Sequence, residues 1–224
     1  MWRSGGIFEH RFYCCTRRNG FAHTYWWHVV DGVLGFVVAY PRSIKLNMEF
    51  KEVVRKRRST RRYTGKPVEV EKLRSAMELA LRAPSSKNTR STRLMAVTNL
   101  SKVRALGRLR DWGSSLLEEA GAAIVVMGDE AASPMWQTNA TIMATVLQLA
   151  LVEEGLASCW VHVGDYRTLQ DDPESQSSED YVKEVLPEIP AEYRILCVIS
   201  IGYADYTPKP LPEYDGPERI LFAE

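Results

Sequence analysis

The sequence predicts an α+β fold over residues 48–224, a mixed β-sheet flanked by helices and followed by an extended C-terminal tail. Three observations carry this. From Met48 onward, segments of helical period alternate with short apolar runs. Ala122 to Met127 is a continuous run of small, branched and apolar residues between turn signals, the pattern of a strand buried on both faces. Pro208, Pro210, Pro212 and Pro217 crowd the end of the chain, where they preclude a regular element.

The elements follow in order. Phe50, Val53, Val54 and Arg57 share one side of a first helix. Val70, Leu73, Met77 and Ala80 mark the face of a second, which Pro84 and the serines after it terminate. Arg93 to Thr98 reads as a strand, Ser101 to Leu109 as a helix, and Ala122 to Met127 as the buried strand. Ser133 is placed to cap the next helix with Pro134 at its first position. That helix runs to about Glu154 and is apolar on most sides through Ile142, Val146, Leu149 and Leu151, which predicts a central or interfacial place. Gly155 ends it. Cys159 to Val163 and Ile195 to Ile201 are two further strands, separated by an acidic, serine-rich loop from Asp171 to Asp180 and a short helix before Pro187.

Residues 1–47 read as an N-terminal extension of uncertain structure. They carry six Arg/Lys against two Asp/Glu, a net of +4, which leaves 23 against 26, a net of −3, for 48–224. The body is therefore no general polyanion binder. The apolar stretch Val29 to Tyr40 is interrupted by Asp31 and two glycines and is too short for a membrane span. Arg17-Arg18 before it resembles a twin-arginine signal, but no small-residue cleavage site follows clearly. Cys14-Cys15 and the histidines of this segment lack zinc-site spacing, so no metal is expected.

Arg55 to Tyr63 reads Arg-Lys-Arg-Arg-Ser-Thr-Arg-Arg-Tyr and sets six cations around a Ser-Thr pair. Where this stretch leaves the first helix, Arg57, Arg58 and Arg61 present forked donors suited to phosphate oxygens, and Ser59 adds a hydroxyl. The alternative is that cations at a helix C-terminus complement its dipole and stay solvated. Other signatures are missing: Thr64-Gly65-Lys66 lacks the upstream glycine of a P-loop, and neither G-x-S-x-G nor H-E-x-x-H occurs. His162 sits alone on a predicted strand, where a structural role is the default, and Cys159 and Cys197 read as small core residues.

Three segments, in this order and spacing, resemble the nitroreductase family of FMN flavoproteins. Arg57-Arg58-Ser59-Thr60-Arg61 resembles that family's opening phosphate-binding motif, and Tyr63 to Val68 its aromatic, Lys-Pro-Val continuation. Ala83-Pro84-Ser85-Ser86-Lys87-Asn88 resembles its second flavin-binding loop. Gly155-Leu156-Ala157-Ser158-Cys159-Trp160-Val161 resembles the helix-to-strand turn beside the isoalloxazine ring. The resemblance covers Met48 to Tyr214.

It implies an FMN-dependent oxidoreductase that takes hydride from NADH or NADPH and reduces a nitroaromatic, quinone or related small-molecule acceptor by a ping-pong mechanism. No protein side chain is expected as a catalyst, because the chemistry belongs to the flavin. By the same resemblance, Arg57, Arg58 and Ser59 bind the phosphate, and Arg61 tunes the ring by offsetting charge at N1 and O2 on reduction. Pro84, Ser85, Ser86 and Asn88 reach the ring or ribityl chain from the other subunit of a homodimer. Trp160, Val161 and His162 cover the far face of the ring, chiefly through backbone amides. Lys209 lies in the tail that embraces the partner subunit and helps hold the phosphate. The implied location is cytoplasmic, with no nucleic acid or membrane partner.

The chain departs from the family pattern in two places. Arg90-Ser91-Thr92 stands where many relatives carry Gln-Pro-Trp, and Trp112 to Ser115, the counterpart of polar and basic ring contacts, contains no lysine. Large insertions that shape substrate pockets are absent, which implies an open site of broad specificity. Two other classes stay open: a protein that sequesters FMN without turnover, and a polyanion binder that uses the basic segments.

Overall fold

In the computed structural model, residues 26–30, 33–37, 48–209 and 219–223 are described. The chain divides into two units, 1–47 and 48–224. In the first, strands β1 (Trp26–Val30) and β2 (Val33–Val37) pair antiparallel, with Val30 opposite Val33. Arg17, Arg18, Cys14 and Cys15 lie outside the described residues, as do Pro210, Pro212 and Pro217 of the tail.

The second unit begins with two helices, α1 (Phe50–Lys56) and α2 (Val70–Ala80), before strand β3 (Thr92–Val97) and helix α3 (Leu100–Ala105). Strand β4 (Ala122–Asp129), helix α4 (Trp136–Glu153) and strand β5 (Ala157–His162) follow, then helix α5 (Ser178–Val185) and strand β6 (Tyr193–Gly202). The sheet order is β3-β4-β6-β5, and all three pairings are antiparallel. Among the described residues, parallel pairing enters only through the isolated bridge of Ser59 to Ser158. Tail residues 203–209 form no helix or strand.

The unbroken apolar run of β4 is explained by two cores. Ala122, Ile124 and Val126 face one shared with α2 and α4, while Ala123, Val125 and Met127 face a second containing Val103 of α3 and Val182 of α5. A strand buried on both faces needs no polar alternation. Leu147 and Leu151 of α4 are fully buried, so truncating either to Ala costs about 2–5 kcal/mol.

One expectation shifts in detail and another holds. Ser133 does not occupy the cap of α4. Met135 does, and the Ser133 hydroxyl accepts from the Met135 N–H at 3.2 Å in the turn that leads in. Gly155 does end α4: at φ +72 it allows Leu156 N–H to reach Leu151 O at 2.8 Å and Gly155 N–H to reach Val152 O at 3.0 Å. Within one chain the apolar side of α1 is covered only at Val53, since Phe50 is 72% and Val54 46% exposed.

Candidate functional site

Helix α1 stops at Arg57, whose N–H still bonds Val53 O at 3.0 Å while its ψ of 127° turns the chain out of the helix. The following residues run along the start of β5. Thr60 is buried, and its N–H donates to Ser158 O at 3.0 Å beside the Ser59–Ser158 bridge. Tyr63 locks this path. Its buried hydroxyl donates to Thr60 O at 2.7 Å and pairs with the Ser200 hydroxyl at 2.7 Å, and its backbone bridges Ala204. Burial pushes the phenol well above its ordinary pKa, against the opposing Ser200 hydrogen bond.

The cations divide by role. Arg58 turns back, its Nη1 donating to the carbonyls of Arg55 and Arg57, so it satisfies the C-terminus of α1. Its buried Nε has no hydrogen-bond partner among the described residues. Arg62 pairs with Asp205 at 3.1 Å and lies over the Tyr206 ring. Arg57 and Arg61 form no ion pair among the described residues. Burial raises the Cys159 thiol above its ordinary pKa, while Arg61, Arg57 and a Ser59 hydrogen bond lower it. Arg61 and Ser59 are exposed.

β5 is an edge strand. Val163 N–H points to Leu196 of β6 and Ser158 O points away to Thr60. By strand alternation Trp160 and His162 turn their N–H groups to the open side, next to the Arg57–Arg61 segment. Their side chains stack at 6.2 Å, and the Trp160 indole N–H donates to His162 Nδ1 at 3.3 Å. An indole nitrogen only donates, so Nδ1 is the acceptor and the neutral imidazole carries its proton on Nε2. Burial first, and then the cation of Arg110, lower the His162 pKa, with Asp165 opposing. Arg110 lies over Tyr166 at 4.6 Å, and Tyr166 meets His162 edge-on at 5.6 Å. Gly164 is required beside them, because a Cβ there would come within 2.6 Å of His162 Nε2.

The loop holding Pro84, Ser85, Ser86 and Asn88 is anchored elsewhere, on α4. Ser86 N–H donates to Asn139 Oδ1 at 2.8 Å. The start of β5 is tied to Gln148 of the same helix, whose Nε2 lies 3.4 Å from Ser158 Oγ. Nine residues of helix separate the two anchors, about 13 Å of rise and about two and a half turns, so they leave α4 on opposite faces. Within one chain, then, Arg57–Arg61 and the β5 edge come together while Ser85–Asn88 sits across α4. Lys209 is exposed in the tail, without a partner among the described residues. Trp112 is exposed, and Ser114 closes its turn by donating to Gly107 O at 2.7 Å.

Asn139, Gln148 and Arg110 escaped the sequence reading. Asn139 and Gln148 did leave a signal, as buried amides in a helix otherwise apolar on most sides, since such groups need specific partners. Among the described residues no group of three His, Cys, Asp or Glu side chains is placed to hold a metal ion. No described helix is long and apolar enough to cross a membrane.

The profile of the nitroreductase family matches residues 54–112 and 101–203. The chain belongs to the nitroreductase family. Among solved structures it is similar to an FMN-dependent nitroreductase from Clostridium difficile, with 34% identity, 77% of this chain and 98% of that one covered, and a TM-score of 0.70. It is 39% identical over 82 residues to an NADH dehydrogenase of Thermus thermophilus, a match spanning 37% of this chain and 40% of that protein. It is 24% identical over 194 residues to an iodotyrosine deiodinase of Thermotoga neapolitana, covering 76% and 95%. The match to the nitroreductase profile starts within α1 and ends one residue past β6.

Proposed function

We propose that this chain is an FMN-dependent oxidoreductase that takes hydride from NADH or NADPH and reduces a nitroaromatic, quinone or related small-molecule acceptor in ping-pong fashion. The observation that carries the reading is the Thr60 N–H bond to Ser158 O, which lays Arg57–Arg61 along the open edge of β5. The residues present fit an FMN. Arg57, Arg61 and Ser59 offer charge-assisted donors to a phosphate, and the outward amides of Trp160 and His162 offer donors to a planar heterocycle. FMN, when bound, supplies the redox chemistry, and the protein binds, orients and tunes it.

In this reading Arg57 and Ser59 hold the phosphate, and Arg61 keeps a cation where negative charge develops on reduction. Arg58 contributes by capping α1 and so fixing the direction in which its neighbours leave the helix. Ser85, Ser86 and Asn88 serve the pocket of a second copy, with Lys209 of the tail beside a phosphate. Two observations support a homodimer with shared pockets. The loop and the phosphate segment lie on opposite faces of α4, and Phe50, Val54, Leu221 and Phe222 expose apolar surface that a partner subunit would cover.

The names of relatives guide the acceptor panel. Beside nitroaromatics and quinones, the Thermotoga relative adds a halogenated phenol. The spectrum of the purified chain tests the reading, with a flavin band expected at about 450 nm, bleached by NADH or NADPH without oxygen and restored by an acceptor. A flavin band that neither nucleotide bleaches would make the chain an FMN-sequestering protein. Absence of FMN binding, with steeply salt-dependent retention of polyanions, would favour the basic segments as the functional feature.

A further inference from the structure

We propose that Asn139 is a positioning residue that clasps the 85–90 loop into a shape ready for flavin; this rests on reading that loop as a flavin-binding segment. Lys87, Asn88 and Arg90 have φ of +50°, +53° and +48°. L-residues enter this left-handed region at a cost, and asparagine alone among the three tolerates it well. No glycine lies between Pro84 and Arg90, so the sequence does not supply the conformation cheaply. Such strain persists where the surroundings over-determine it, and it collects at ligand sites.

The loop binds to itself through Asn88 N–H to Ser85 O at 2.9 Å, Thr89 N–H to Ser86 O at 3.1 Å and Arg90 N–H to Ser85 Oγ at 3.0 Å. Asn139 binds it to the core. Its Oδ1 accepts the Ser86 N–H at 2.8 Å, and its Nδ2 donates to Ser91 Oγ at 3.1 Å and Ser133 Oγ at 3.3 Å. One amide thus grips both ends of the loop and the turn before its own helix. Its orientation follows from chemistry: a backbone N–H only donates, so the oxygen faces Ser86 and the nitrogen faces the hydroxyls. Asn139 is 2% exposed and acts through the loop. A pre-shaped loop spares the ordering entropy that a flexible one loses on binding.

The test uses the full chain freed of flavin, with FMN affinity read by fluorescence titration and the loop read by tryptic cleavage after the exposed Lys87 and Arg90. Asn139→Leu keeps volume and removes every bond. Asn139→Asp keeps the acceptor for Ser86 N–H and lets the serine hydroxyls donate to its second oxygen. The expected result is an FMN Kd raised about tenfold or more and faster cleavage for the leucine chain, with the aspartate chain within about threefold of the parent. Equal FMN affinity in the leucine and parent chains, or rescue by leucine rather than aspartate, overturns the proposal. Ser91→Ala/Ser133→Ala removes the hydroxyls that aim the amide. It is expected to weaken FMN binding in the same direction, and unchanged affinity there overturns the clasp even if the leucine chain does not fold. A parent that binds no FMN sinks the flavin reading alone; cleavage of the leucine chain then still supports the clasp if accelerated and overturns it if unchanged.

Discussion

Thr60 gives its amide proton to the carbonyl of Ser158 at 3.0 Å, and this one bond joins two segments almost a hundred residues apart into a single surface. It brings the segment that holds the exposed Arg61 and Ser59 to the edge of β5, the side toward which the Trp160 and His162 amides turn. A cationic cluster at a helix end is otherwise an ordinary solvated feature. Its placement along the edge strand β5 is the feature on which the proposed FMN site rests.

Arg57→Ala and Arg61→Ala are expected to differ. Loss of a charge-assisted phosphate bond at Arg57 costs about 1.5–3 kcal/mol, or about ten- to hundredfold in FMN affinity. Arg61→Ala should also shift the flavin reduction potential. Equilibrium titration and redox titration check the two, and an Arg57→Ala chain that binds FMN as tightly as the parent would remove the phosphate assignment.

Tyr63→Phe should loosen the same surface from beneath. The change leaves the Thr60 carbonyl and the Ser200 hydroxyl short of a buried partner, which costs about 1–3 kcal/mol in thermal melts. The pH dependence has a defined sign. The folded phenol titrates above its ordinary value of 10.0, so its contribution is complete below about pH 10 and is lost as pH rises further. The gap between parent and Tyr63→Phe should therefore narrow in alkali, and a constant gap would contradict the buried neutral phenol.

Much of this fold was legible because its elements obey simple periods. The run Ala122–Met127 announced a strand covered on both faces, and Gly155 announced a helix end, since both depend on local chemistry alone. The cap of α4 moved because Ser133 takes part in the turn and in the bond from Asn139. Division of labour among the arginines could not be read. Whether Arg58 turns back on α1 or Arg62 reaches Asp205 depends on contacts up to 143 residues away in the chain, which spacing does not encode.

His162 offers a separate check. Burial and Arg110 hold its pKa below 6.5, so the ring is neutral near pH 7, and its stabilising contribution is present above about pH 6.5 and fades as pH falls through the lowered value. NMR titration should show the His162 ring protons moving at lower pH than a free histidine. Arg110→Met should raise that midpoint. A midpoint unaffected by the change would exclude Arg110 as a cause.

A chain beginning at Met48 is expected to fold, bind FMN and reduce acceptors at the parent rate, since residues 48–224 form a unit of their own and the family match begins at residue 54. Circular dichroism, the flavin spectrum and an acceptor assay on the shortened chain check this. Loss of the flavin band on truncation would make the extension part of the working protein.

The shared pocket can be tested by complementation, because Ser86 is anchored through Asn139 on one face of α4 and Ser158 through Gln148 on the other. In a two-fold dimer with composite pockets, each pocket takes Arg57–Arg61 from one subunit and Ser85–Asn88 from its partner. An Arg57→Ala/Arg61→Ala chain and a Ser86→Ala/Asn88→Ala chain then each spoil both pockets of their own homodimer. Unfolded together and refolded as a mixture, they form mixed dimers in which one pocket collects both defects and the other none. Random pairing makes about half of the dimers mixed, each with one sound pocket of two, so about a quarter of the parent activity should return. Mixed dimers confirmed by mass yet inactive would mean that each pocket is built within a single chain and that Ser85–Asn88 have another task.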